Sequence, residues 1–161
     1  MIRYAIDQLK VWAHQPNRKP LVLQGARQVG KTWLMKQFAA ECFEHSVYVN
    51  FENNQLLEHL FEKDFDMERI LMELQIATHT TITPNTLLLF DELQEVKRGV
   101  TALKYFQELL PEQPIIAAGS LLGIAMHRDD SFPVGKVDFL TLYPMSFFEF
   151  AEAMGEQLLV K

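Results

Sequence analysis

The run Gly25-Ala26-Arg27-Gln28-Val29-Gly30-Lys31-Thr32 has the G-x-x-x-x-G-K-[ST] spacing of a loop that wraps a polyphosphate. Each fixed residue has a physical task there. The glycines let the backbone turn sharply and approach phosphate with no Cβ in the way. Successive main-chain amides then face inward as an anion nest, and the positive end of the following helix adds to it. In such loops the lysine reaches the β- and γ-phosphates and the hydroxyl ligates Mg²⁺. The spacing therefore predicts that Gly25, Ala26, Arg27, Gln28, Val29, Gly30, Lys31 and Thr32, with the amide of Trp33 just beyond, hold a nucleoside triphosphate. Thr32 is the first metal ligand and Lys31 serves the reaction as well as binding.

Further along, Leu87-Leu88-Leu89-Phe90-Asp91-Glu92 is an apolar run ending in two carboxylates. A buried strand of that kind delivers its acids to the carboxyl edge of the sheet, where open α/β sheets take their ligands. Asp91 is expected to orient Mg²⁺, directly or through its water, and Glu92 to polarise the water attacking the γ-phosphate, as a general base or positioning group. The Asp-x-x-Gly and Asn-Lys-x-Asp runs of guanine-nucleotide enzymes do not occur, so ATP is the expected nucleotide. No Leu-Ser-Gly-Gly-Gln run of transporter ATPases occurs either. Hydrolysis is the main expectation. A nucleotide-gated switch with little turnover is the alternative, and a small-molecule kinase a further one.

Ala118-Gly119-Ser120 closes another apolar run. A polar side chain there would stand beside the phosphate loop, so Ser120 is a third catalytic candidate, with a plain helix N-cap as its competing role. Arg128 is a candidate to act across a subunit contact. Lys97, Arg98 and Lys136 read as solvated charges, and Cys42 and Met35 as packing residues. The five histidines show no ligand spacing, and one cysteine offers no zinc set.

These residues need strands and helices to hold them. Residues 2–14 read as an amphipathic helix through Ile2, Ile6, Leu9 and Ala13, within an N-terminal segment 1–15. Leu21–Gln24 is a short strand running into the first glycine. Residues 31–42 return to helical spacing through Leu34, Phe38 and Cys42, and 46–51 is a strand rich in β-branched and aromatic residues. Helices are expected over 54–63 (Leu56, Leu57, Leu60, Phe61), 67–79 and 100–110. Further strands are expected over 86–90, 114–118 and 137–143. Ser146-Phe147-Phe148-Glu149 has the form of a capping box, with Met145 and Phe150 spaced as a hydrophobic staple. Strands alternating with helices predict an α/β fold with a mainly parallel sheet.

Bulk properties narrow the partners. The net charge of −6 and pI near 5.3 disfavour direct nucleic-acid binding, which depends on clustered Lys and Arg. No apolar run approaches a membrane span, and the N-terminal residues lack a signal-peptide pattern. With a single cysteine, this points to the cytoplasm.

Taken together, these motifs resemble the ATPase core of bacterial and archaeal AAA+ proteins that carry an uncharacterised C-terminal domain. The resemblance also draws on Leu89-Phe90-Asp91-Glu92-Leu93-Gln94, Ala118-Gly119-Ser120-Leu121-Leu122-Gly123, Ser131-Phe132-Pro133-Val134-Gly135-Lys136 and Leu142-Tyr143-Pro144-Met145-Ser146-Phe147-Phe148-Glu149-Phe150. It implies a P-loop NTPase three-layer α/β/α sandwich of five strands in the order 5-1-4-3-2. It also implies ATP hydrolysis and a sensor-like role for Ser120. Relatives of that kind continue into a helical lid and a second domain. Residues 1–161 are thus expected to be the N-terminal core alone, partnered by the missing C-terminal domain and by self-association, with weak nucleotide affinity of its own.

Overall fold

A computed structural model describes residues 3–120 and 135–155. Among the described residues five helices and five strands follow one another: α1 (Ala5–Ala13), β1 (Leu21–Gln24), α2 (Lys31–Cys42), β2 (Ser46–Asn50), α3 (Met67–Thr78), β3 (Leu87–Asp91), α4 (Gly99–Leu109), β4 (Ile115–Ala118), β5 (Asp138–Thr141) and α5 (Phe147–Ala153). A short 3₁₀ turn, Leu93–Glu95, follows β3.

The strands form one sheet in the order β2-β3-β4-β1-β5, which from the β5 edge reads 5-1-4-3-2 as expected. All four pairings are parallel. Every strand therefore ends at the same edge, and the loops leaving β1, β3 and β4 meet there. The alternation of side chains across the pleat explains why the runs are apolar throughout. Leu21, Leu23, Leu87, Leu89, Ile116 and Ala118 face α1 and α2, joining Leu9, Trp12, Leu34, Met35 and Phe38 in one core. Val22, Leu88, Phe90, Ile115 and Ala117 face α3 and α4, joining Ile70, Leu74, Leu103 and Phe106 in the other. Helices cover both faces, which makes the three layers.

Three local expectations are corrected. Residues 54–63 do not form a helix: they run as successive turns, although Leu57, Leu60 and Phe61 are buried. The Leu57, Leu60 and Glu62 amides donate three residues back, to the Asn54, Leu57 and His59 carbonyls, so the segment closes as separate turns rather than as a helix. Cys42 does not pack but is exposed at the end of α2, whereas Met35 is fully buried. Arg98 is more than a solvated charge: its guanidinium lies 4.3 Å from the Phe65 ring centre and donates to the Glu62 carbonyl at 3.2 Å.

The capping box at α5 forms as expected, with the Ser146 hydroxyl accepting from the Glu149 amide and the Glu149 carboxylate accepting from the Ser146 amide. The staple does not bury Phe150, which stays exposed. Among the described residues no helix is long and apolar enough to cross a membrane. Arg128, and most of the segments around Leu121 and Ser131, lie outside the described residues.

Candidate functional site

The loop after β1 is shaped by its glycines. Gly25 has φ +153°, and a Cβ there would stand 2.5 Å from the Leu142 carbonyl oxygen, so no other residue fits the approach of the two segments. Leu142 is held in place by its own amide, which donates to the Gln24 carbonyl at 2.8 Å. Gln28 and Gly30 have φ +62° and +96°, left-handed values that curl the loop. The first intrahelical bond of α2 runs from the Leu34 amide to the Gly30 carbonyl. The amides of Lys31, Thr32 and Trp33 thus have no helical acceptor and are available to an anion.

Lys31 turns back over this loop. Its ammonium donates to the Gly25 carbonyl at 2.7 Å and the Ala26 carbonyl at 2.6 Å. Burial pushes its pKa below the ordinary lysine value, while the Glu92 and Asp91 carboxylates oppose that shift. Thr32, one residue on, aims its hydroxyl at the end of β3 and donates to Asp91 Oδ2 at 2.6 Å. The Tyr48 hydroxyl donates to the same oxygen at 2.7 Å. The Glu92 amide donates to Asp91 Oδ1 at 3.1 Å. Asp91 is only 4% exposed, so this set of donors keeps a buried carboxylate satisfied. Burial, then the bond to Asp91, drives the Tyr48 hydroxyl pKa far above the usual phenol value.

Glu92 sits in the left-handed region at φ +52°, just past the end of β3, and lines the same cavity as Lys31 and Thr32. Gln94 Nε2 donates to Glu92 Oε2. The Gln94 amide occupies the space beside Gly119, where a Cβ would lie 1.9 Å from Gln94 Oε1. At the end of β4, Ser120 Oγ lies 3.4 Å from Arg27 Nε, a long contact.

These residues line one cavity of about 420 Å³, comprising Arg27, Gln28, Gly30, Lys31, Thr32, Trp33, Glu52, Asp91, Glu92, Glu95 and Ser120. Its size suits a ligand of nucleotide dimensions. A wider cleft of about 1020 Å³ opens at the other end of the sheet, before the strands begin, and holds Arg18, Cys42, His45 and Asn85. Its lining holds no arrangement of charged and hydroxyl groups comparable to that of the smaller cavity. The candidates from β1, β3 and β4 are thus brought together, with Lys31, Thr32, Asp91, Glu92 and Ser120 on one rim. Gly25, Ala26 and Val29 belong to the loop's outer wall, where their carbonyls take bonds from Lys31 and Arg3.

Three residues at or behind this site carry no role in the sequence reading. Tyr48 reaches Asp91 because β2 pairs with β3 so that Asn50 stands opposite Asp91, placing Tyr48 on the diagonal. Only that pairing reveals it. Gln94 carries a local signal, standing two residues after Glu92. Arg3 carries none, and binds Val29 from the far end of the chain.

A family model described as an AAA domain matches residues 17–151. No curated protein is similar enough to the chain to count as a match. Among solved structures, PCH-2 of C. elegans is similar in fold, with a TM-score of 0.56 at 16% identity. The alignment covers 96% of this chain and 45% of that one.

Proposed function

We propose, since this chain belongs to the AAA-domain family, that its ATP-binding core also hydrolyses ATP with Mg²⁺. One observation carries the reading: the Thr32 hydroxyl and the Asp91 carboxylate meet at 2.6 Å, one from the start of α2 and one from the end of β3, with the Lys31 ammonium held on the adjoining loop. A hydroxyl and a carboxylate oxygen are hard oxygen donors of the kind Mg²⁺ prefers, and such sites use few protein ligands. The residues present therefore fit the ion, with Thr32 and Asp91 as its holders. A bound Mg²⁺ would neutralise charge on the phosphate oxygens.

The chain's own groups supply the rest. The free amides of Lys31, Thr32 and Trp33 bind phosphate oxygens, and Lys31 exchanges its carbonyl partners for them. Glu92, oriented by Gln94, takes the proton from the attacking water, and Ser120 is placed to hydrogen-bond that water or the γ-phosphate. Family membership supports the further reading that hydrolysis drives an attached or partner domain.

A nucleotide-gated switch with little turnover is the second reading. It is favoured by the bonds of Lys31 to Gly25 and Ala26, which phosphate must displace, giving the loop two arrangements. Phosphate release from γ-labelled ATP decides between them. Glu92→Gln is expected to keep Mg·ATP affinity and to lose turnover by about 100-fold, the usual worth of a positioned base. Turnover unchanged by the substitution removes Glu92 from the mechanism, and label passing to an acceptor other than water points to a kinase.

A further inference from the structure

Arg3 is 4% exposed and belongs to none of the motifs above. Its guanidinium joins three segments distant in sequence. Nη1 donates to the Val29 carbonyl at 2.9 Å, inside the phosphate loop. Nη2 donates to the Tyr143 carbonyl at 2.7 Å, just past β5. Nε stands 3.3 Å from Glu149 Oε1, an ion pair rather than an aligned hydrogen bond. Glu149 is itself fixed, accepting from the Tyr4 and Ser146 amides at 2.9 Å each.

A buried arginine with these partners braces the fold, but its grip on Val29 does something more specific. A trans peptide is planar, so the Val29 carbonyl and the Gly30 N–H point in opposite directions. Holding the carbonyl on the Arg3 side aims the Gly30 N–H the other way, and Gly30 lines the cavity. This peptide needs holding. Gly30 has φ +96° and no Cβ, so rotation of the unit meets little steric resistance. A rotated unit would present carbonyl oxygen in place of N–H, and that oxygen would repel phosphate. Nη1 stands 3.5 Å from where a Gly30 Cβ would be, close enough to follow the peptide directly.

We propose that Arg3 is a positioning residue for phosphate binding: it locks the Val29–Gly30 peptide in its anion-accepting orientation. Glu149 locks Arg3 in turn, so that phosphate affinity depends on α5 remaining docked. The inference rests on the reading of Gly25–Thr32 as a phosphate site.

Arg3→Lys keeps the charge beside Glu149, but one ammonium cannot span the Val29 carbonyl, the Tyr143 carbonyl and the carboxylate together. The chain and its variant are titrated with inorganic pyrophosphate and, separately, with adenosine, at a temperature where circular dichroism shows both folded. Pyrophosphate is expected to bind about tenfold more weakly to the variant, the worth of one charge-assisted hydrogen bond, with adenosine unchanged. Equal pyrophosphate affinity, or an equal loss for both ligands, overturns the proposal. Failure of the unmodified chain to bind pyrophosphate overturns the phosphate-site reading instead. Should Arg3→Lys not fold, Glu149→Gln is titrated in its place, with a loss of about threefold expected for pyrophosphate only, since a neutral amide still accepts hydrogen bonds. An unchanged pyrophosphate affinity there overturns the proposal equally.

Discussion

Removing one oxygen atom tests the architecture around Asp91. Tyr48→Phe deletes the hydroxyl that donates to Asp91 Oδ2 at 2.7 Å and leaves the ring, so the Lys36 ammonium 4.0 Å from the ring centre keeps its contact. Hydrogen bonds to charged groups contribute about 1.5–3 kcal/mol. Here the loss falls near the lower end, because Asp91 Oδ2 retains the Thr32 hydroxyl and no buried donor is orphaned. We expect a destabilisation of about 1–2 kcal/mol, or roughly 3–6 °C in Tm for a domain of this size. Urea denaturation of the unmodified chain, Tyr48→Phe, Asp91→Ala and the double variant measures the coupling directly. A coupling of about 1 kcal/mol or more is expected, and one within the additivity limit of about 0.3–0.5 kcal/mol refutes the assignment. The pH dependence gives an independent check. The folded phenol titrates above its unfolded value, so its contribution is complete below about pH 10 and is lost as pH rises beyond it. Tyr48→Phe is therefore expected to flatten the alkaline limb of the stability profile.

Gly25→Ala forces a methyl to within 2.5 Å of the Leu142 carbonyl at a left-handed φ, and backbone cannot yield as a side chain would. Strain and overpacking of about 1–3 kcal/mol each predict a loss of about 2–6 kcal/mol, read by urea denaturation, with loss of phosphate binding in whatever remains folded. The Glu149 carboxyl titrates below its ordinary value: burial opposes this shift, and the Ser146 and Tyr4 amides with Arg3 outweigh it. Its contribution is thus present above the unfolded carboxylate pKa of about 4.3 and is lost as pH falls through and below it. Stability measured from pH 6 down to about pH 3 is expected to fall less steeply in Glu149→Gln than in the unmodified chain. Parallel curves would show that Glu149 does not sense acid.

The loop between β1 and α2, the acids at the end of β3 and all five strands were legible in the sequence, because their signals are contiguous. The G-x-x-x-x-G-K-T run carries its turn and its helix start in eight adjacent residues, and four apolar residues closed by a carboxylate, Leu87–Asp91, announce a strand covered on both faces. The 54–63 segment misled because Leu57, Leu60 and Phe61 keep helical spacing while the Leu57, Leu60 and Glu62 amides close separate turns on the carbonyls three residues back. Burial alone does not distinguish a helix from a packed series of turns.

Strand order is a different matter. Periodicity says which residues are buried but not which strand lies beside which, and here the order came from family resemblance rather than from spacing. Tyr48 acquires its bond to Asp91 only when β2 lies beside β3 in one register, and Arg3 reaches Val29 and Glu149 only when the two ends of the chain fold against the same loop. Residue types near each other in sequence determined what chemistry this chain can attempt. Tertiary structure decided which donors hold Asp91, Glu92 and the Val29 carbonyl, because a hydrogen bond depends on distance and angle and not on separation along the chain.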